Sequence, residues 1–170
     1  MNQDGQLLRM WTVCRSGELR SWLPNKKFAS HEWWSADGKA IYYIDSATPR
    51  AGTMRIDLET EEHSIVDPDG SWHAHASCDG RYFVHDRAAS DQGFFRGMPA
   101  TVGFHNRETG RGITIAHLPA SATAERQSEY HPDPHPNFVC GDRYVVYTTT
   151  VLGRLDVALT PVDQLVERTQ

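Results

Sequence analysis

His31-Glu32-Trp33-Trp34-Ser35-Ala36-Asp37-Gly38-Lys39-Ala40-Ile41-Tyr42-Tyr43-Ile44-Asp45 is the stretch whose reading decides the fold. Two runs rich in aromatic and β-branched residues flank an Asp-Gly pair, the strongest short-range signal of a β-hairpin. The unit returns as Trp72-His73-Ala74-His75-Ala76-Ser77-Cys78-Asp79-Gly80-Arg81-Tyr82-Phe83-Val84-His85-Asp86. It returns again, with glycine and aspartate exchanged, as His135-Pro136-Asn137-Phe138-Val139-Cys140-Gly141-Asp142-Arg143-Tyr144-Val145-Val146-Tyr147-Thr148. Asp79 follows Asp37 by 42 positions, close to the ~40–45 of a propeller blade. Asp142 follows Asp79 by 63, so the third unit carries insertions, placed at 89–99 and 120–129 where Gly, Ala, Ser and polar residues predict loops.

Shorter strand pairs are expected between the repeats, at 53–58 with 61–66 and at 100–105 with 112–116. A hairpin at 7–13 and 19–23 precedes them, and a strand at 155–159 and a polar terminal turn at 162–167 follow. No segment of a dozen residues sustains a 3.6-residue apolar period, so the chain is expected to be nearly all β. The predicted architecture is a β-propeller of roughly three to four four-stranded antiparallel blades. Its units fall at 7–45, 53–86 and 100–150, with a closing strand at 153–162. Ring closure needs at least about four blades. The chain therefore reads as part of a larger propeller whose open blade edges invite self-association.

Composition narrows the classes of function. The 170 residues include 22 acidic and 17 basic ones, for a net charge of −5, with no basic block or aromatic-basic interleaving. Nucleic acid and anionic membrane are not expected partners. No apolar run approaches the ~18 residues of a membrane span. Residues 1–20 contain Asp4, Arg9, Arg15, Glu18 and Arg20, so no secretory signal is read there and a cytoplasmic location is expected. Cys14, Cys78 and Cys140 are widely separated and are expected to be small buried hydrophobes rather than a disulfide framework. Trp11, Trp22, Trp33, Trp34 and Trp72 are expected in blade cores.

The densest titratable chemistry lies in Ser128-Glu129-Tyr130-His131-Pro132-Asp133-Pro134-His135-Pro136-Asn137-Phe138. In an extended chain alternate side chains share a face, which puts His131, Asp133 and His135 together. The intervening prolines stiffen the segment and exclude an α-helix. A second pair of imidazoles one strand-step apart stands at His73 and His75. Two such ladders could hold one divalent cation between them. His63, His85, His105 and His117 are scattered and receive no role.

Arg9-Met10-Trp11 with Gly17, His31-Glu32-Trp33-Trp34 before Asp37-Gly38, His73 six residues before Asp79, and His135-Pro136-Asn137-Phe138 before Thr148 occur in one order. In that order and spacing the chain resembles the oligogalacturonate lyases, seven-bladed propellers whose repeats are related to TolB-type proteins. The segment 151–162 is similar to that family's final strand. The resemblance covers essentially the whole chain but only the C-terminal part of the family's. It implies a divalent cation, typically Mn2+, held by three histidines and a glutamine. His73 and His135 match two of the histidines, the third falls on Asp133 or His131, and Gln127, with Glu129 as the alternative, matches the glutamine. A hard cation accepts Asp as readily as His.

The implied reaction is β-elimination on short 4-linked galacturonides, digalacturonate-like in size, giving keto-deoxyuronate products in pectin breakdown. The proton α to the uronate carboxylate is removed and the glycosidic oxygen leaves. The family assigns the base to an arginine that matches Arg9, yet a guanidinium is permanently charged. His31 is the chemically easier base, with Arg9 then clamping a carboxylate. Glu32 and His75 complete the candidate set as substrate contacts, His75 being alternatively structural. A non-catalytic TolB-like propeller that binds a protein or peptide is the competing reading. Convergence of Arg9, His31, His73 and His135 at one place separates the two.

Overall fold

A computed structural model describes residues 10–23, 29–45, 52–69, 72–88, 99–119 and 133–170. Four antiparallel sheets follow one another along the chain, each strand pairing with its sequence neighbour. The first has two strands, β1 (Trp11–Val13) and β2 (Leu19–Ser21). The second has four: β3 (Ala29–Trp34), β4 (Ala40–Asp45), β5 (Thr53–Asp57) and β6 (His63–Asp67). The third also has four: β7 (Ala74–Ala76), β8 (Tyr82–Ala88), β9 (Ala100–Asn106) and β10 (Arg111–Leu118). The fourth has three: β11 (Asn137–Val139), β12 (Tyr144–Thr149) and β13 (Asp156–Pro161).

The expected strands are present, but the grouping 7–45, 53–86, 100–150 is one hairpin out of phase with the sheets. Each Asp-Gly hairpin opens a sheet rather than closing one, and the strand expected to stand apart at 153–162 is the third member of the last sheet. A sequence repeat shows its period, whereas its starting point depends on which strands hydrogen-bond. The expected loops at 89–99 and 120–129 lie, Pro99 aside, outside the described residues.

The repeated hairpin has a local chemical cause. Ser35 Oγ–H donates to Asp37 Oδ1 (2.6 Å), which also accepts from Lys39 N–H (3.0 Å), while Ala40 N–H donates to Ser35 Oγ (2.9 Å). One repeat later Ser77 Oγ–H donates to Asp79 Oδ1 (2.8 Å), Arg81 N–H donates to the same oxygen (3.1 Å), and Tyr82 N–H to Ser77 Oγ (3.0 Å). Gly38 and Gly80 both sit at φ +70°, a conformation open to glycine without steric cost. Ser-x-Asp-Gly therefore specifies the turn twice. The third turn is built differently, with Cys140, Gly141 and Asp142 all at positive φ. Asp142 Oδ2 accepts from Cys78 N–H at 2.7 Å, tying the third turn to the second.

Alternation along the central strands buries both faces of the middle sheets. Ile41 and Tyr43 pack with Met10 and Leu23 of the first sheet's flanks. Tyr42, on the opposite face of β4, packs with Val66, Ala76 and Phe83. Val84, Val102 and Phe104 then meet Phe138, Val145 and Tyr147 of the fourth sheet, so consecutive sheets stack through one interface after another. Trp22, Trp33 and Trp72 pack against these cores as expected, but Trp11 and Trp34 are exposed, because short or edge strands leave one face uncovered.

Two other expectations are corrected. The segment 162–167 is not a polar turn but the start of a helix, α1 (Val162–Arg168), which buries Val162 and Leu165 against the third and fourth sheets. Its end is docked by Asn106 Nδ2–H and Thr109 Oγ1–H donating to Thr169 (3.3 and 2.7 Å). The three cysteines are free and exposed, because each lies in or beside a turn and not on a buried strand face.

Replacing Gly80 by Ala places a Cβ at φ +70° and 3.2 Å from Tyr42 Oη. A loss of about 1–2 kcal/mol in folding stability is expected, to be read from denaturant unfolding monitored by tryptophan fluorescence. An unchanged midpoint would show that the turn does not need its left-handed residue.

Candidate active site

The edge strands β3, β7 and β11 open three successive sheets, and each brings a histidine to one cleft of about 270 Å³. His31 comes from β3, His73 from the residue before β7, and His135 from two residues before β11. The His31 and His73 rings stack with centroids 4.4 Å apart and 23° between planes. The His73 and His135 centroids lie 3.6 Å apart.

Local backbone geometry aims two of these rings. Along β3 the pairing jumps from Ser30↔Ile44 to Trp33↔Tyr42, a bulge that contains His31 and Glu32. His31 has φ +55°, and His135, set between Pro134 and Pro136, has φ +44°. Non-glycine residues in this region cost on the order of 1–3 kcal/mol each and cluster at functional sites.

Asp86, on β8 and fully buried, organises the cleft. Its Oδ2 accepts from His73 Nδ1–H at 2.8 Å, and its Oδ1 from His73 N–H at 2.9 Å. Oδ2 also accepts from His135 N–H at 3.1 Å. A carboxylate at Nδ1 fixes the His73 tautomer and leaves Nε2 as the lone-pair donor. His31 Nδ1 contacts the Trp72 carbonyl, which can only accept, so the proton of the neutral ring sits on Nδ1 and Nε2 is the basic atom.

His73, Asp133 and His135 each offer a ligand atom within 4.8 Å of the other two, Asp133 being buried and His135 exposed. Two imidazoles and a carboxylate are a donor set that suits a divalent first-row cation. Asp133 and His135 of the expected ladder thus lie within reach of His73, although His135 at φ +44° departs from the extended backbone that the ladder assumes. Arg9, Gln127, Glu129 and His131 lie outside the described residues. Glu32 and His75 line the same cleft. His75 is also a packing residue: its Nδ1 accepts from Phe138 N–H (3.3 Å), and its ring lies against Trp33 and Phe138. Burial pushes its pKa below the ordinary value, opposed by the charge of Asp142. A larger hollow of about 490 Å³, lined by Arg143, Tyr144, Val162 and Val166 among others, collects no imidazoles.

Sequence reasoning quoted Asp86 without giving it a role. The signal was an acid inside Tyr82-Phe83-Val84-His85-Asp86, an otherwise core-forming strand where an unpaired carboxylate is not tolerated.

An oligogalacturonate lyase in complex with manganese superposes with a TM-score of 0.67 at 22% identity, over 90% of this chain and 41% of that one. An oligogalacturonate lyase from Vibrio parahaemolyticus gives 0.67 at 21%, over 91% and 42%. TolB from Acinetobacter baumannii gives 0.65 at 14%, over 91% and 35%. The fold is that of a β-propeller. The chain spans about two fifths of the length of the lyases it matches. No protein-family model matches the sequence, and no curated protein does.

The depressed pKa of His75 has a definite sign in stability. The folded state binds its proton less readily than the unfolded one, so the contribution is present above the unfolded value of ~6.5 and is lost as pH falls below it. Between pH 7 and pH 5 the unfolding midpoint should fall more steeply in the unsubstituted protein than in His75→Gln. Parallel pH profiles for the two would exclude a buried neutral His75.

Proposed function

We propose that this chain is the metal-holding part of an oligogalacturonate lyase, cleaving short 4-linked galacturonides by β-elimination. The observation that carries this reading is the convergence of His31, His73, Asp133 and His135 from separate sheets. A binding module with relic histidines has no reason to stack three of them over a buried carboxylate. The likeness to a manganese-bound lyase is consistent with it.

His73, Asp133 and His135 are the residues that would hold a divalent cation, Mn2+ in this reading, with Gln127 and His131 as further candidates. When bound, such a cation neutralises the uronate carboxylate and favours the enolate form of the sugar acid. The protein's own groups do the rest. His31 Nε2 takes the proton α to the carboxylate, the carbon-carbon double bond forms, and the 4-linked oxygen leaves with the bonding pair. Arg9 is the alternative base, or else a bidentate clamp on a carboxylate. Glu32, which lines the cleft, is the residue that would contact sugar hydroxyls. Asp86 holds His73 and His135 in register.

The reading on partners follows from the edges. Val157 and Leu159 of β13 are 68% and 62% exposed, and Val13 and Leu19 of the first sheet 67% and 63%. These apolar faces suit further propeller strands or a second copy of the chain.

Metal content decides first. Purified chain loaded with Mn2+ should retain about one equivalent in this cleft, and His73→Ala/His135→Ala should lose it together with any unsaturated uronate formed from digalacturonate. Undiminished metal in that variant would sink the ligand assignment. His31→Gln should keep the metal and lower elimination by about 10²–10⁴-fold, the range for a general base. Full activity in His31→Gln would return the role to Arg9.

A further inference from the structure

Asp67 and His105 are buried, chemistry-bearing residues outside the cleft. Asp67 closes β6 and is fully buried, with Asp69 two residues on in the exposed turn. His85 and His105 face them from β8 and β9 of the third sheet, 5% and 6% exposed. Asp67 Oδ2 accepts from His85 Nδ1–H at 2.6 Å, and Oδ1 accepts from Asp69 N–H at 3.0 Å. A carboxylate has about four lone-pair sites, so two remain. His105 Nδ1 is buried and makes no hydrogen bond among the described residues, which is costly unless something else satisfies it.

Ligand atoms of Asp67, Asp69 and His105 all lie within 4.8 Å of one another. Three glycines shape the surroundings. A Cβ on Gly103 would collide with the His85 ring, and one on Gly52 with the Asp67 carbonyl. Gly112 pairs with His105 across the sheet, and its missing Cβ leaves open a position 3.7 Å from Asp69 Oδ2 and 3.8 Å from His105 Nδ1. Burial works to raise the Asp67 carboxyl, but the His85 hydrogen bond and the nearby His85 and His105 imidazoles hold it below its ordinary value, so it stays ionised. Arg87 Nη1 lies 3.8 Å from Asp69 Oδ1 at the exposed rim.

We propose that Asp67, Asp69 and His105 form a second divalent-cation site, distinct from the imidazole cleft, with His85 positioning Asp67. Two carboxylate oxygens and one imidazole nitrogen match zinc, whose nitrogen and oxygen donors sit at roughly 2.0–2.2 Å, and are also accepted by manganese. Asp69, exposed and held by its N–H to Asp67 Oδ1, would supply the outer ligand, with water completing the coordination from the open side. His105 Nδ1 gains the partner that it lacks among the described residues. Asp67 and Asp69 belong to the second sheet and its following turn and His105 to the third, so a bound ion adds a further link between two sheets already joined by packing and by the His85–Asp67 pair. The role is structural and no electron transfer is involved.

The site shares no residue with the lyase proposal, and the test keeps them apart. Zn2+ binding is measured by competition with a chromophoric chelator on the full chain and on His73→Ala/His135→Ala. One equivalent is expected to survive in the latter. Adding Asp69→Asn, an exposed substitution that leaves the core intact, should weaken it by at least the ~10–100-fold that loss of an outer-shell partner costs. His105→Gln should do the same. Zn2+ should also raise the thermal midpoint of the unsubstituted chain and fail to raise that of Asp69→Asn. Absence of any equivalent insensitive to His73→Ala/His135→Ala, or an equivalent that Asp69→Asn leaves unweakened, overturns the second site whatever the cleft binds.

Discussion

A single buried carboxylate, Asp86, carries the arrangement on which the candidate active site depends. It is fully enclosed, and an enclosed charge is tolerated only when its lone pairs are satisfied. Donors that meet it among the described residues include the ring and backbone of His73 and the backbone of His135. Those bonds lock the strand that opens the third sheet to the proline-flanked segment that opens the fourth. The same charge orients His73 so that Nε2 faces the cleft, and loss of Asp86 would remove the acceptor that two part-buried amides and an imidazole share.

The stacked-sheet architecture explains how a site of this kind arises from short local units. Each Ser-x-Asp-Gly hairpin folds from its own hydrogen bonds, and each sheet buries alternate faces against its neighbours. The first strands of successive sheets then come side by side. Residues far apart in sequence, 31, 73 and 135, need only occupy similar places in their own sheets to meet. The bulge at His31 and the left-handed backbone at His135 are departures from regular strand geometry at the points where rings must turn into the cleft.

Histidine and aspartate appear in two settings in this chain, and burial separates them. His73 with Asp86, and His85 with Asp67, repeat one motif, an imidazole Nδ1–H donating to a sheet-buried carboxylate. In the first the histidine's other nitrogen faces the cleft. In the second the carboxylate turns its remaining lone pairs toward Asp69 and His105. The scattered positions of His85 and His105 concealed this in the sequence, because the contacts run from strand end to neighbouring sheet.

The sequence by itself determined the strands, the Asp-Gly turns and the all-β class, because turn chemistry and two-residue alternation act over a few neighbouring residues. It also marked His31, His73, Asp133 and His135 as chemically unusual, the last two by their proline-spaced ladder. It did not show where each sheet begins, since a repeat has a period without a phase. Nor did it show α1, whose seven residues are too few for a helical period to stand out. Only the tertiary structure decided that three histidines from successive sheets meet, that Asp86 holds two of them, and that Asp67, Asp69 and His105 share one enclosure. Those are contacts between side chains distant in sequence, set by how sheet packs on sheet, and no local pattern of residues encodes them.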